Sequence, residues 1–515
     1  MLMTQKDPVE PDIVARALAK NRLGVPSVVF FGVAGAAPLT VIIGAISATY
    51  AIIGSTAVPI AYVAVAGILS LFTVGFVAMS RHIVNSGAFY SYISHGLGRV
   101  VGVGAAFVAL PAYSAMQIGL FGLFGSAASG ILAAFGVITP WWVCAIAAWL
   151  VVTVLGLLWV DLSGKVLAVL LIAEITIVLI YDLTMISHPA NNHVTFTSFD
   201  PSPLLTPVVG SLLVIAIAGF VGFEATVVLS EEAKDPKRTI ARATHWAVLL
   251  AALLCSLSAW AMAVSTGPEN IAATAGEHQT DLVFFLVGKH LPAAFVNLGY
   301  LLFLTSVFAA LLAFQAAVSR YQFALGREGV LPALFGRTHP RTGAPLAGSI
   351  TQSIIAIVVL SLYAVAGADP LVYLFAWMST IGGLGVLILM WATSAAVIGF
   401  FARGRRRENV WRAYLAPFLS FLLLSVVLTA TVIGFGELLQ VDGDSIFQWL
   451  IPVLYLGTAF VGFCWAWIMR AARPEVYAQI GRGTEHKTSI LADAGFPRPL
   501  HAADPVGAAR SGYPY

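Results

Sequence analysis

Residues 216–225 read AIAGFVGFEA: two glycines and a glutamate inside a run otherwise apolar enough to cross a bilayer. A spanning helix needs none of the three. Glycine is a poor helix former, and an acidic side chain at mid-helix is costly, about 2.5–3.5 kcal/mol for Asp on insertion scales. The stretch therefore reads as a place where the backbone leaves helical geometry for a purpose. What surrounds it decides the purpose.

The chain has 515 residues, 59% of them hydrophobic and only 10% charged, with a mean hydropathy of +0.91. Soluble domains carry about 25% charged residues. Repeated apolar stretches of about 20 residues fit transmembrane helices, whereas a transmembrane barrel needs short alternating segments. The expected class is an all-α polytopic membrane protein. Twelve spans are expected, near 27–51, 57–80, 101–132, 140–160, 164–184, 207–230, 242–265, 292–320, 346–366, 370–401, 413–436 and 446–469. With the N-terminus cytoplasmic, this count places 26 of the 27 Lys and Arg residues on the inner side, leaving only Lys289 outside. Cytoplasmic loops collect basic residues, so the census supports both count and orientation.

This divides the chain into a cytoplasmic N-tail (1–26), a ten-helix core (27–405), two further helices (406–470) and a cytoplasmic C-tail (471–515). The C-tail is rich in Pro, Gly and Ala and is expected to be mobile. Outer loops near 185–206 and 266–291 are long enough to cap a vestibule. Cys144, Cys255 and Cys464 each stand alone in apolar runs and are expected to be small buried hydrophobes. No cleavable signal, cofactor motif, metal-ligand set or nucleic-acid-binding stretch is read.

A second run resembles the first in its interruptions. Residues 30–45 read FFGVAGAAPLTVIIGA, with Gly32, Gly35 and Pro38 near the middle; residues 212–228 carry Gly219 and Gly222. Pro38 lacks a backbone donor and clashes with the preceding turn. Five spans separate the two breaks, which suggests corresponding halves, spans 1–5 and 6–10. Paired interruptions of this kind mark a transporter's binding site. Freed backbone groups cannot face lipid, so they must face protein, water or a ligand. A half-helix N-terminus suits a carboxylate and free carbonyls suit an ammonium, so a zwitterionic amino acid matches both. The competing reading is that the glycines only allow close helix packing.

Three stretches also resemble the amino acid–polyamine–organocation (APC) superfamily: GFVGFEATVVLSEEAKDPKRTIARA (219–243), NSGAFYSYISHGLG (85–98) and SRYQFALGREGVLP (319–332). They occur in the expected order and cover roughly 25–405. The resemblance implies a LeuT-like 5+5 inverted repeat with helices 1 and 6 broken, alternating access, and transport of amino acids or related amines. It implies a substrate site at Ala36, Ala37, Pro38, Leu39 and Thr40 on one break, and at Ala218, Gly219, Phe220, Val221 and Gly222 on the other. The chain departs from the pattern in two places. The usual Gly-Ser/Thr-Gly falls on Pro38-Leu39-Thr40, and the aromatic outer gate falls on Ala218, with Phe220 as a substitute. By the resemblance, Phe314 matches a span-8 aromatic that stacks on substrate in exchanger-like members. Tyr113 and Gln117, four apart on span 3, are pocket-lining candidates or simple interhelical hydrogen-bond formers.

Glu174 and Glu224 are ionisable residues within spans and need a partner, a water path or a proton. By the resemblance, Glu174 stands where several proton-coupled relatives hold a lysine. It either exchanges a proton, holds a cation such as sodium, or ties spans 1, 5 and 8 together as a neutral group. Glu224 is expected to cap the freed amides of the span-6 break, either as its whole role or together with a proton relay. Thr305 and Ser306 are candidate hydroxyl ligands for a coupling ion.

The expected function is secondary transport of amino acids across the cytoplasmic membrane, proton-coupled. The alternatives are an amino acid/amine antiporter and a transport-derived sensor. Intramembrane enzymes are disfavoured by the lack of His-Glu-x-x-His or Gly-x-Ser-x-Gly, and ATP-driven pumping by the lack of a P-loop.

Overall fold

The computed structural model describes residues 36–483 together with Val28, Gly32 and Val33, apart from 84, 86, 159–163, 191, 207, 229–235, 340–342, 405–407 and 442–444. The expected N-tail, Gly35 and residues 484–515 of the C-tail lie outside the described residues.

All regular structure among the described residues is helical. In chain order the principal helices are α1 (Pro38–Ile53), α2 (Val58–Ser80), α3 (Arg99–Ala134), α4 (Trp141–Leu158), α5 (Gly164–Ser187), α6 (Val209–Phe220), α7 (Pro236–Thr266), α8 (Ala293–Arg327), α9 (Leu346–Val365), α10 (Pro370–Arg403), α11 (Trp411–Ile433) and α12 (Phe447–Ala472). Among the described residues ten of these, all except α1 and α6, are long and apolar enough to cross a bilayer. The two exceptions are the runs read as interrupted. Pro38 begins α1, and the positive-φ Gly222 lies just beyond the end of α6.

The long α3 lies at the centre, packed against α4, α8, α10 and α12. Beside it α2 packs against α7 and α11, and α6 is held between α2, α10 and α11. Side chains such as Leu150, Ile172, Leu253, Leu362, Val426 and Leu456 are exposed around the outside. In water so many exposed apolar residues would drive association, but against lipid tails they carry no such penalty. The molecule is a multi-pass membrane protein. Cys144 and Cys255 are buried as expected, while Cys464 is half-exposed because α12 is a peripheral helix.

The segments that follow α5 and α7 fold over one end. The Ile271–His278 helix packs on the Ser47–Ile53 end of α1. Phe196 stacks on Trp260 at 5.0 Å, and the Trp260 indole donates to the Thr195 carbonyl at 2.8 Å.

At the other end the first part of the C-tail lies on the body of the protein. Residues Pro474–Gln479 form a helical turn, and Ile480, Gly481 and Gly483 are buried. Within the tail expected from 471, residues 474–483 are thus packed against the body. Composition does not reveal that a short Gly-containing segment has a polar partner waiting on the body.

Candidate functional site

Two departures from helical geometry face one another across the core. At the first, Ala37 adopts φ 37° and ψ 70°, between helical Ala36 and the proline that starts α1. A non-glycine residue there is strained, and such strain collects at functional sites. Its own N–H is donated to the Val33 carbonyl at 2.8 Å. From Val41 to Ile46, α1 is wound as a wide π-helix.

At the second, α6 stops at Phe220, Val221 to Glu224 form a turn, and helix resumes over Ala225–Val228. Gly222 has φ 119°, a conformation that a Cβ would strain. The turn is held by Glu224, whose carboxylate accepts from the Gly222 N–H at 3.0 Å and from the Tyr113 hydroxyl at 2.6 Å. Glu224 thus caps its own break while 1% exposed.

Between the breaks lies a partly open cavity. Ala36, Ala37 and Thr40 line it from the first break, and Ala218, Gly219 and Val221 from the second. Phe314 of α8 lines it as well. Pro38, Leu39, Phe220 and Gly222 are buried beside these positions but do not line it. Tyr113 stands behind Phe314, ring centroids 6.2 Å apart.

Gln117 points away from the cavity. Its amide donates to the Leu311 carbonyl and to Gln315, and Gln352 donates to it at 2.6 Å, tying α3, α8 and α9 together. Ser114 donates to the same Gln352 at 2.7 Å. A polar side chain in a membrane helix commonly serves in this way.

Glu174 of α5 is buried and joined to the cavity by a hydroxyl chain. The Thr40 hydroxyl donates to Ser306 at 3.1 Å, and the Ser306 hydroxyl donates to Glu174 at 2.9 Å. Because Thr40 lines the cavity, this chain runs from its wall to a titratable carboxylate in two hydrogen bonds. Thr305 is not part of it; its hydroxyl turns back to the Leu302 carbonyl of its own helix. Among the described residues no group of His, Cys, Asp or Glu has the arrangement of a metal site.

Several features were not legible in the sequence. Met116 and Leu120 of α3 line the cavity, as do Phe375, Ala376, Ser379 and Thr380 of α10, whose first turns are also π-helical. No residue type in α10 sets that helix apart, so no signal pointed to it. A third buried carboxylate, Asp182 of α5, accepts from Ser258 of α7 at 2.9 Å. The signal for Asp182 was present, an acidic residue in the same run as Glu174.

Comparisons with known proteins show the family to which the chain belongs. Residues 23–469 match the family described as amino acid permease. The chain is 25% identical over 279 residues to the branched-chain amino acid permease BcaP of Bacillus subtilis, an alignment covering 50% of this chain and 57% of that protein. It is 29% identical over 144 residues to the low-affinity putrescine importer PlaP of Escherichia coli, covering 28% and 31%. Against the lysine-specific permease LysP of Lactococcus lactis it is 26% identical over 269 residues, covering 49% and 51%. The chain spans about half the length, or less, of the curated relatives it matches. The family and these relatives are transporters, not enzymes.

Proposed function

The chain belongs to the amino acid permease family of the APC superfamily, and on that premise we propose that it carries neutral, apolar amino acids across the cell membrane by alternating access, driven by protons. The observation that carries the reading is the chemistry of the cavity wall. Only Thr40, Ser379 and Thr380 among the lining residues have polar side chains, and none is ionisable. A cationic or anionic side chain would be buried there without a countercharge, at a cost of several kcal/mol. An aliphatic or aromatic one would meet alanines, Val41, Ile52, Ile215 and Phe375. Of the cargoes named for the three relatives, a branched-chain amino acid suits this wall better than putrescine or lysine.

In this reading α1–α5 and α6–α10 are inverted repeats, and the chain crosses the membrane twelve times with both termini inside. The broken helices stand first in each half, and α2 packs on α7 and α3 on α8, the pairs that an internal two-fold would relate. The substrate carboxylate meets the first turn of α1, at the positive end of the helix. The ammonium meets carbonyls freed at the α6 break. Glu174 takes a proton on loading and returns it inside, signalled to the substrate through Ser306 and Thr40.

Uptake by proteoliposomes tests this. Across a panel of neutral, cationic and acidic amino acids and putrescine, with and without an inward proton gradient, uptake should be confined to neutral apolar members and concentrative only with the gradient. Transport of putrescine or lysine in preference to branched-chain or aromatic amino acids would overturn the substrate assignment.

A further inference from the structure

At the inner ends of α3, α8 and α12 the chain's own C-terminal segment is locked onto the body through one carboxylate. Glu328, directly after α8, is 3% exposed and accepts four hydrogen bonds. Two come from the body, Asn85 at 2.8 Å and the Tyr90 hydroxyl at 2.5 Å. Two come from the C-terminal segment, the backbone N–H groups of Gly481 at 2.6 Å and Gly483 at 3.1 Å. The Gly481 carbonyl in turn accepts from Asn85 at 3.2 Å and Ser91 at 3.1 Å.

Apolar contacts surround this polar knot. Ile480 is buried, Val476 covers Gly329, and the Arg99 guanidinium lies 5.5 Å from the centre of the Tyr477 ring. Gly481 has φ 84°, and a Cβ there would come within 3.0 Å of the Ser94 side chain. The seat is built for a bare backbone.

The same residues connect to the broken helix. Tyr90 donates its N–H to the Tyr321 hydroxyl at 3.0 Å, Tyr321 packs on Tyr113 at 6.0 Å, and Tyr113 donates to Glu224, which fixes the Gly222 turn. We infer that residues 474–483 are a latch: while seated on Glu328 they pin the 85–91 segment to the end of α8 and keep the inner side of the cavity shut, and each inward opening requires their release. The interaction surface is the Glu328–Asn85–Ser91 seat, and its occupant is this chain's own C-terminal segment. Charge-assisted hydrogen bonds are the strong ones, so the seat is able to weigh on a two-state equilibrium.

The inference rests on the alternating-access reading but not on the cargo, so its test uses no substrate. A Val227→Cys reporter, buried in the inner half of the broken span, is labelled with an impermeant maleimide from the inner side. The rate is measured over a parent holding only the native cysteines. In full-length protein, Glu328→Gln replaces an acceptor with an amide whose nitrogen would face N–H donors, and Gly481→Val unseats the segment from its own side. Both should raise labelling about tenfold and open the Arg482–Gly483 bond, flanked in the seat by buried Gly481 and Gly483, to trypsin. Arg482 cleavage that rises in both variants while Val227→Cys labelling stays unchanged would overturn the latch. So would a segment that remains trypsin-resistant in Glu328→Gln. A merely structural clamp would lower the unfolding temperature without changing labelling.

Discussion

Replacing Glu174 by Gln isolates the proton from the geometry. The Ser306 hydroxyl donates to one carboxylate oxygen at 2.9 Å, and the carbonyl of a glutamine accepts the same bond. What is lost is the charge-assisted part of one hydrogen bond, roughly 1 kcal/mol of stability or less. The fold should survive, with an unfolding temperature lowered by a few degrees at most. Transport energetics change far more. A carrier moving one proton with each substrate sustains about a tenfold gradient per pH unit, equivalent to about 1.4 kcal/mol. The variant cannot load that proton, so its accumulation ratio should fall to about one while substrate exchange at equal concentrations stays within about threefold. The assay is radiolabelled uptake into proteoliposomes under an imposed pH step, paired with counterflow. Tenfold accumulation by Glu174→Gln would refute Glu174 as the coupling carboxylate and leave it a tie between α5 and α8.

Other perturbations probe the cavity and its supports. Ala48 lines the cavity, and Ala48→Phe should cut uptake of bulky apolar substrates at least about tenfold while sparing alanine-sized ones, measured by competition. Gly222→Leu forces a side chain onto φ 119°, costing about 1–3 kcal/mol, and should weaken substrate binding; unchanged affinity would make the break a packing device. Tyr113→Phe removes one of the two donors to Glu224 and should destabilise the turn by about 1–3 kcal/mol, seen as slower transport with the protein still folded. In the loop after α5, the Ser202 N–H and hydroxyl hold the Asp200 carboxyl below the usual carboxylate range. Its contribution to that turn is present above the unfolded value and lost as pH falls through the lowered one. Asp200→Asn should therefore loosen the 185–206 loop to proteolysis at neutral pH, and the difference should vanish in strong acid.

The residues that carried the fold in the sequence were those whose physics is local. Apolar runs marked the ten long helices because length and hydropathy alone decide spanning. Gly219, Gly222 and Pro38 marked the breaks because backbone freedom and a missing donor act within a turn. The cavity wall was legible where it borders those breaks, at Ala36, Ala37, Thr40, Ala218, Gly219 and Val221. It was not legible where rotation about a helix axis decides. Gln117 shares a run with Met116 and Leu120, yet those two line the cavity while Gln117 turns into the α8–α9 interface. The seat on Glu328 joins residues more than 150 positions apart, and such pairings leave no trace in composition.

Substrate protection of two introduced cysteines tests the central claim most directly. Ala36→Cys and Ala218→Cys place one thiol on each broken helix, both on the cavity wall. A transported amino acid at saturating concentration should slow alkylation of both, and a non-transported one neither. Protection at neither position, in protein that still transports, would mean that the substrate binds elsewhere and the paired breaks do not form its site.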